Sequence, residues 1–213
     1  MDSNVSLVPD GPLPYLMREP KRFQAGGNPV LVFLHGYDEG PPTEIGIALT
    51  RHGPLRPDND IAALEHFVIV APQMPARGDL WHLHANAVFE IVNHVYRCHQ
   101  GDPRRTYLTG FSFGANGVFD LAMVQPEIWS ALWAVDPTRP PAKPLPRPIW
   151  LSIGERARHR KEAFVETLSL LPANQQNDGD AIFDDHGADH IGTAVLAYRN
   201  IQIYEWLLSR SPG

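Results

Sequence analysis

Residues 105–125 constrain the fold of this 213-residue chain more than any other stretch. The β-branched and aromatic run 105–109 predicts a strand, and it leads directly into Gly110-Phe111-Ser112-Phe113-Gly114, a G-x-S-x-G pattern. Apolar residues then recur at helical spacing as far as Gln125-Pro126, where proline ends a helix. A strand that turns sharply into a helix holds the serine hydroxyl at the tip of the turn. Ser112 is therefore a candidate nucleophile; the plainer interpretation is a glycine-rich turn with an incidental serine.

Continuous apolar runs alternate with helical patterns along the rest of the chain. Strands buried on both faces of a parallel sheet are predicted at 30–34, 67–70, 131–135 and 148–153. Helices are predicted at 83–98 and 163–171, followed by a late strand at 181–183 and a closing amphipathic helix at 193–208. This order predicts a single α/β domain over residues 1–213, with a mostly parallel sheet flanked by helices.

The connection 137–148 contains six prolines. A stretch so rich in proline runs extended, because proline lacks the N–H that a helix or an inner strand needs. We therefore expect no large cap domain over the site.

Composition excludes several classes of partner. The net charge of −6, without a dense Lys/Arg face, argues against nucleic acid, and no apolar run approaches the ~20 residues of a membrane span. The N-terminus lacks a basic and then apolar leader, and Cys98 is the single cysteine, so we expect a cytoplasmic protein without disulfides. No glycine-rich nucleotide loop is present, which predicts no cofactor. His186 and His190 have the spacing of a zinc helix but lack its glutamate, so no metal is expected.

The carboxyl ends of parallel strands are where ligands bind, and two further candidates follow strands. Leu34-His35-Gly36 ends the first apolar run, so the Tyr37 N–H could join the Phe113 N–H, just after the serine, in an oxyanion hole. The alternative is a plain turn with a packed histidine. His190 lies on a loop late in the chain and could act as the base of Ser112, with His186 as the nearest rival.

These motifs, together with the ending 197–209, resemble the α/β-hydrolase superfamily. The nearest group is the small phospholipase/carboxylesterase-like serine esterases, which include feruloyl-esterase-like and polyhydroxybutyrate-depolymerase-like proteins. The resemblance covers nearly the whole chain. It implies the α/β-hydrolase fold, with Ser112 as nucleophile, His190 rather than His186 as base, and Tyr37 and Phe113 as oxyanion donors.

The chain departs from this group at the triad acid. Relatives place an aspartate three residues after a glycine that follows the seventh strand, and here the count from Gly154 reaches Ala157. Glu155 is one substitute. The other is Asp136, whose setting before Pro137 resembles the acid-bearing turn of pancreatic-type lipases, and we favour Asp136. The commonplace interpretation of each is a surface carboxylate.

The sequence thus predicts a serine esterase that cleaves small-molecule carboxylic esters through an acyl-enzyme. A thioesterase or peptidase would use the same machinery. The contrasting hypothesis, motivated by Ala157, is a catalytically impaired hydrolase fold that only binds a ligand.

Overall fold

One nine-stranded sheet organises the computed structural model, which describes residues 4–59, 61–78, 80–173 and 179–211. Its strands are β1 (Val5–Val8), β2 (Tyr15–Arg18), β3 (Asn28–Leu34), β4 (Val68–Pro72), β5 (Gly101–Phe111), β6 (Ala131–Val135), β7 (Ile149–Ile153), β8 (Leu171–Pro172) and β9 (Ala181–Asp185). The spatial order is β1-β2-β4-β3-β5-β6-β7-β9-β8. β2 runs antiparallel to β1 and β4, and every other pair is parallel. The predicted mostly parallel sheet is confirmed.

Helices cover both faces of the sheet. They are α1 (Ile45–Leu49), α2 (Ala85–Cys98), α3 (Phe113–Val124), α4 (Glu155–Arg158), α5 (Lys161–Leu168), α6 (His190–Tyr198) and α7 (Ile201–Leu208). The apolar side chains of α2, α3 and α5 pack on one face, and those of α1, α6 and α7 pack on the other. No helix among the described residues is long and apolar enough to cross a membrane.

The strand β3 is buried along its whole length, because helices cover both faces of the sheet. Val30, Val32 and Leu34 point into the core under α2 and α3, while Leu31 and Phe33 point into the core on the opposite face. Successive side chains of a strand alternate between faces, so a strand covered on both sides needs an unbroken apolar run.

The order in which strands are added to the sheet reverses at β3. It moves from β3 to β4 on one side and then crosses to β5 on the other. A crevice forms at such a reversal, outside the carboxyl ends of the strands. His35-Gly36 after β3, Ser112 after β5 and Asp136 after β6 all lie at this edge.

Several details differ from the sequence predictions. The antiparallel strands β1 and β2 were not foreseen. The helix predicted over 193–208 is two helices, because Asn200 has an extended backbone and its side chain accepts the Gln202 N–H, which starts α7 afresh. The helix predicted over 163–171 ends at Leu168, where Ser169 adopts a left-handed conformation. The proline-rich residues 137–148 contain no helix or strand, as expected.

Helix α3 approaches the sheet too closely for side chains at two positions. A Cβ on Gly114 would lie 1.9 Å from the Leu34 carbonyl oxygen, and one on Gly110 would lie 2.3 Å from the Gly114 carbonyl oxygen. The glycines of the G-x-S-x-G pattern are therefore a packing requirement of the turn that carries Ser112.

We expect Gly114→Ala to destabilise the fold by about 3 kcal/mol or more, because the added methyl group meets backbone that cannot move aside. Urea unfolding measures the loss. Gly187→Ala is the control: its φ is +72° but nothing lies within 4 Å of the added atom, so it should cost only about 1–2 kcal/mol of backbone strain. Equal losses in the two variants would contradict the steric explanation.

Candidate active site

Ser112 occupies the turn between β5 and α3. Its backbone has φ 58° and ψ −116°, a conformation that a residue with a side chain adopts only when its surroundings enforce it. Here the Ser112 N–H donates to the Val135 carbonyl at 3.0 Å, which ties the turn to the neighbouring strand β6. The residue is only 8% exposed. Ser112 is thus fixed by the sheet, with its side chain at the carboxyl edge.

His190 reaches Ser112 from the first residue of α6. Its Nε2 lies 3.0 Å from the Ser112 Oγ, and its ring lies against Phe111 with the centroids 4.5 Å apart. Asp189 caps the helix by accepting the Gly192 N–H at 2.6 Å, which fixes where α6 begins. The helix start and the Phe111 ring together set the position of the imidazole.

Asp136 lies on the other side of the histidine. Its Oδ2 is 2.6 Å from the His190 Nδ1, and the residue is fully buried. An ionised carboxylate accepts only, so Nδ1 carries the proton and Nε2 is left to accept the Ser112 hydroxyl hydrogen. The three side chains form one continuous series of hydrogen bonds.

The backbone after β7 holds the Asp136 carboxylate. Gly154 N and Ala157 N donate to Oδ1 at 3.0 and 2.8 Å, and Arg156 N donates to Oδ2 at 3.2 Å. A buried carboxylate is costly unless its lone pairs are satisfied, and these donors satisfy them. Ala157, at the position where the family resemblance predicted the acid, supplies a backbone donor to Asp136, which follows the neighbouring strand.

The two rival candidates lie elsewhere. Glu155 accepts the His190 backbone N–H at 3.3 Å and makes no hydrogen bond to the ring. His186 is half exposed, and its Nε2 pairs with Asp184 at 2.9 Å. The structure brings Asp136 and His190 to Ser112, and leaves Glu155 and His186 outside that series.

His35 orders the turn that follows β3. Met74 N donates to the His35 Nε2 at 3.0 Å, so the ring proton lies on Nδ1, which donates to the Gly36 carbonyl at 2.7 Å. Burial lowers the pKa of His35 to about 4, which keeps this neutral tautomer at neutral pH. The sequence suggested a packed histidine at His35; the side chain is packed, and it also donates a hydrogen bond to the turn.

This bond also orients the Tyr37 N–H. The C=O and N–H of a trans peptide point in opposite directions, so fixing the Gly36 carbonyl fixes the Tyr37 N–H on the far side. Gly36 lies beside the nucleophile, since a Cβ built on it would contact the Ser112 Cβ at 3.5 Å. Phe113 begins α3, so its N–H has no acceptor within the helix, and its ring meets the Tyr37 ring edge-on at 5.0 Å.

Asn116 anchors the connection that follows Asp136, a role the sequence did not reveal. Its Oδ1 accepts the Thr138 and Arg139 N–H groups at 3.1 and 3.3 Å, and its Nδ2 donates to the Thr138 Oγ1 at 2.7 Å. Arg139 then forms two 2.7 Å hydrogen bonds to Asp120. Both acceptors belong to α3, so the helix behind Ser112 also holds the segment behind Asp136.

Within the described residues, no group of three or more His, Cys, Asp or Glu side chains could hold a metal ion. The site presents a hydroxyl, an imidazole, a carboxylate and backbone N–H groups.

No protein-family model matches this chain, and no curated protein sequence matches it. Solved structures do match. A thermostable esterase superposes with a TM-score of 0.67 at 19% identity over 98% of this chain, which spans 62% of that esterase. The S-formylglutathione hydrolase FrmB from Staphylococcus aureus gives 0.67 at 12% identity, covering 96% of this chain and 95% of that one.

A third structure is the fluorophosphonate-binding serine hydrolase F from Staphylococcus aureus, with a TM-score of 0.66 at 9% identity over 96% of this chain and 97% of that one. At these identities the likeness establishes the fold. The chain has the α/β-hydrolase fold, as the motifs around Ser112 implied.

We expect folding stability to fall by up to about 3 kcal/mol between pH 6.5 and pH 4 on account of His35. The unfolded chain takes up this proton near pH 6.5 and the folded chain only near pH 4, so acid in this window favours unfolding. His35→Asn keeps a side-chain N–H for the Gly36 carbonyl but does not titrate. Urea unfolding across this range should show a shallower decline for the variant, and parallel curves would contradict the assignment.

Proposed function

We propose that this protein is a serine hydrolase that cleaves carboxylic esters through an acyl-enzyme intermediate. The observation that carries the proposal is the hydrogen-bonded series Ser112–His190–Asp136, with distances of 3.0 and 2.6 Å. A hydroxyl, an imidazole and a buried carboxylate in this order are the groups that nucleophilic acyl transfer requires. The names of the structural neighbours, an esterase and two hydrolases, agree with it.

In the first half of the reaction, the Ser112 Oγ attacks the carbonyl carbon of the ester while its proton passes to the His190 Nε2. The carbonyl oxygen becomes an oxyanion, which the Tyr37 and Phe113 N–H groups stabilise. The tetrahedral intermediate collapses, the alcohol leaves with the proton from His190, and the acyl group stays bound to Ser112.

In the second half, water attacks the acyl carbon and gives its proton to His190. The carboxylic acid leaves and Ser112 regains its hydrogen. Throughout, Asp136 holds the Nδ1 proton and stabilises the imidazolium without being protonated itself.

Thioester hydrolysis is a second candidate. One neighbour is by name an S-formylglutathione hydrolase, and the same groups would attack a thioester carbonyl. The binding-protein hypothesis rested on Ala157 at the usual acid position, and it loses that support because the Asp136 carboxylate contacts His190 from the adjacent strand.

Ser112→Ala should lower kcat for p-nitrophenyl acetate at least about 10³-fold, because no covalent step remains. A fluorophosphonate probe should label the native protein on the peptide that contains Ser112 and leave the variant unlabelled. His186→Ala is the matched control and should keep nearly full activity. Retention of most esterase activity by Ser112→Ala would disprove the assignment of the nucleophile.

Asp136→Asn should cost up to about 10⁴-fold in kcat, since an amide can hold the imidazole in the wrong tautomer. Glu155→Gln should be mild, because Glu155 reaches only the backbone of His190. Steady-state kinetics on the two variants decides between the carboxylates. A larger loss in Glu155→Gln would transfer the role of the acid to that residue.

A further inference from the structure

Glu39 is a buried carboxylate beside the proposed oxyanion turn, and the reaction scheme above does not use it. The residue is 2% exposed and ends the short 3₁₀ turn Tyr37–Glu39. Its Oε2 accepts the Gly36 N–H at 2.6 Å. Its Oε1 is buried and has no hydrogen bond to the described residues. One oxygen therefore holds the turn, while the other is unsatisfied.

The groups around Glu39 stabilise a negative charge on its carboxylate only weakly. The His52 Nε2 is 3.9 Å from Oε1, too far for a hydrogen bond, and burial lowers the pKa of His52 to about 4, so that ring is neutral. Arg51 attracts a negative charge here and Asp38 repels it, while the Tyr198 hydroxyl on α6 also faces the group. Burial raises the pKa of Glu39 to about 7 against the opposing effect of the Gly36 N–H.

The group is joined to the reacting atoms on two sides. Gly36 lies beside Ser112, close enough that an added Cβ would contact the Ser112 Cβ at 3.5 Å, and it precedes Tyr37, the proposed oxyanion donor. The His52 ring lies 5.1 Å from the Phe111 ring, which in turn lies 4.5 Å from the ring of His190. A shift of the Glu39 carboxyl group changes the turn directly, because its only hydrogen bond among the described residues goes to Gly36.

We propose that Glu39 is a positioning residue, which holds the Gly36–Tyr37 turn against Ser112 when ionised and loosens it when protonated. The inference rests on the proposed function and extends it to a group that does not touch the substrate.

The direction follows from hydrogen-bond chemistry. An ionised acceptor makes a hydrogen bond about twice as strong as a neutral one does. The Glu39 carboxylate therefore holds the Gly36 N–H in a stronger hydrogen bond than the protonated acid does. When protonated, Glu39 carries a hydrogen on one carboxyl oxygen, and His52 Nε2 can accept a hydrogen bond from it if the 3.9 Å distance to Oε1 shortens. That movement draws the Glu39 carboxyl group away from the Gly36 N–H.

Direct charge effects on the reaction act in opposite directions. The transition state develops a negative oxyanion and a positive imidazolium together, so a nearby anion repels one and attracts the other. The proposal therefore rests on the orientation of the turn, which depends on the Gly36 hydrogen bond.

Glycine-selective ¹⁵N labelling tests the hydrogen bond between Glu39 and the Gly36 N–H without measuring activity. The Gly36 amide signal, assigned by its loss in Gly36→Ala, should move as pH is raised through about 7 in the native protein and stay fixed in Glu39→Gln. Gly46 gives an internal comparison, since its N–H donates to the Glu44 carboxylate at 2.9 Å and its signal should be unaffected by Glu39→Gln. A Gly36 signal that ignores pH in this range, or that still titrates in Glu39→Gln, would overturn the proposal.

Kinetics tests the consequence. At pH 8, Glu39→Gln should lower kcat for p-nitrophenyl acetate about tenfold with KM nearly unchanged, and at pH 6 the deficit should shrink to about twofold because the native residue is then mostly protonated. Glu44→Gln, which removes a similar carboxylate cap from α1, should change neither value. An unchanged or raised kcat at pH 8 in Glu39→Gln would refute the positioning role.

The two proposals fail separately. Absence of Ser112-dependent hydrolysis in the native protein would remove the proposed function, while the Gly36 titration would still decide whether Glu39 holds the turn. Normal hydrolysis with a fixed Gly36 signal would remove only the role of Glu39.

Discussion

The buried Asp136 carboxylate is the interaction on which the rest of the site depends. It accepts three backbone N–H groups from the start of α4 and one ring N–H from α6, so strand β6 is joined to two helices through a single side chain. A carboxylate deprived of these donors would be an uncompensated buried charge, which costs several kcal/mol. The same group that orients His190 thus keeps the carboxyl edge of the sheet in register.

Most of the fold could be predicted from the sequence because the central strands, which are buried on both faces, consist mainly of apolar residues. The run at β3 is apolar on both faces, and Gly110 and Gly114 mark a close approach that no other residue fits. The strands β1 and β2 were missed because each has only four residues, too few for a long apolar run, and the edge strand β1 is only partly buried. The break between α6 and α7 depends on one capping hydrogen bond, from the Gln202 N–H to the Asn200 side chain. The spacing of apolar residues does not predict such a bond.

The site could be predicted to the level of residue types but not of contacts. Ser112 follows from local pattern, and His190 was preferred to His186 only through the family resemblance. The choice between Asp136 and Glu155 depends on which strand end faces the imidazole, a matter of three-dimensional packing. His35, Glu39 and Asn116 were missed for the same reason. Each acts through one or two hydrogen bonds to backbone, and no sequence spacing specifies those partners.

The three aligned groups of the site differ in how they are attached. Ser112 and Asp136 follow paired strands whose final residues, Phe111 and Val135, are in register, so their separation is set by the sheet. His190 lies in the partly exposed first turn of α6, whereas the second half of this helix is anchored in the core by Ala197 and Tyr198. Local opening at the end of a helix requires less free energy than global unfolding. Amide protons of α6 should therefore exchange with solvent sooner than those of β5, and heating should uncouple the imidazole from the hydroxyl before the sheet melts.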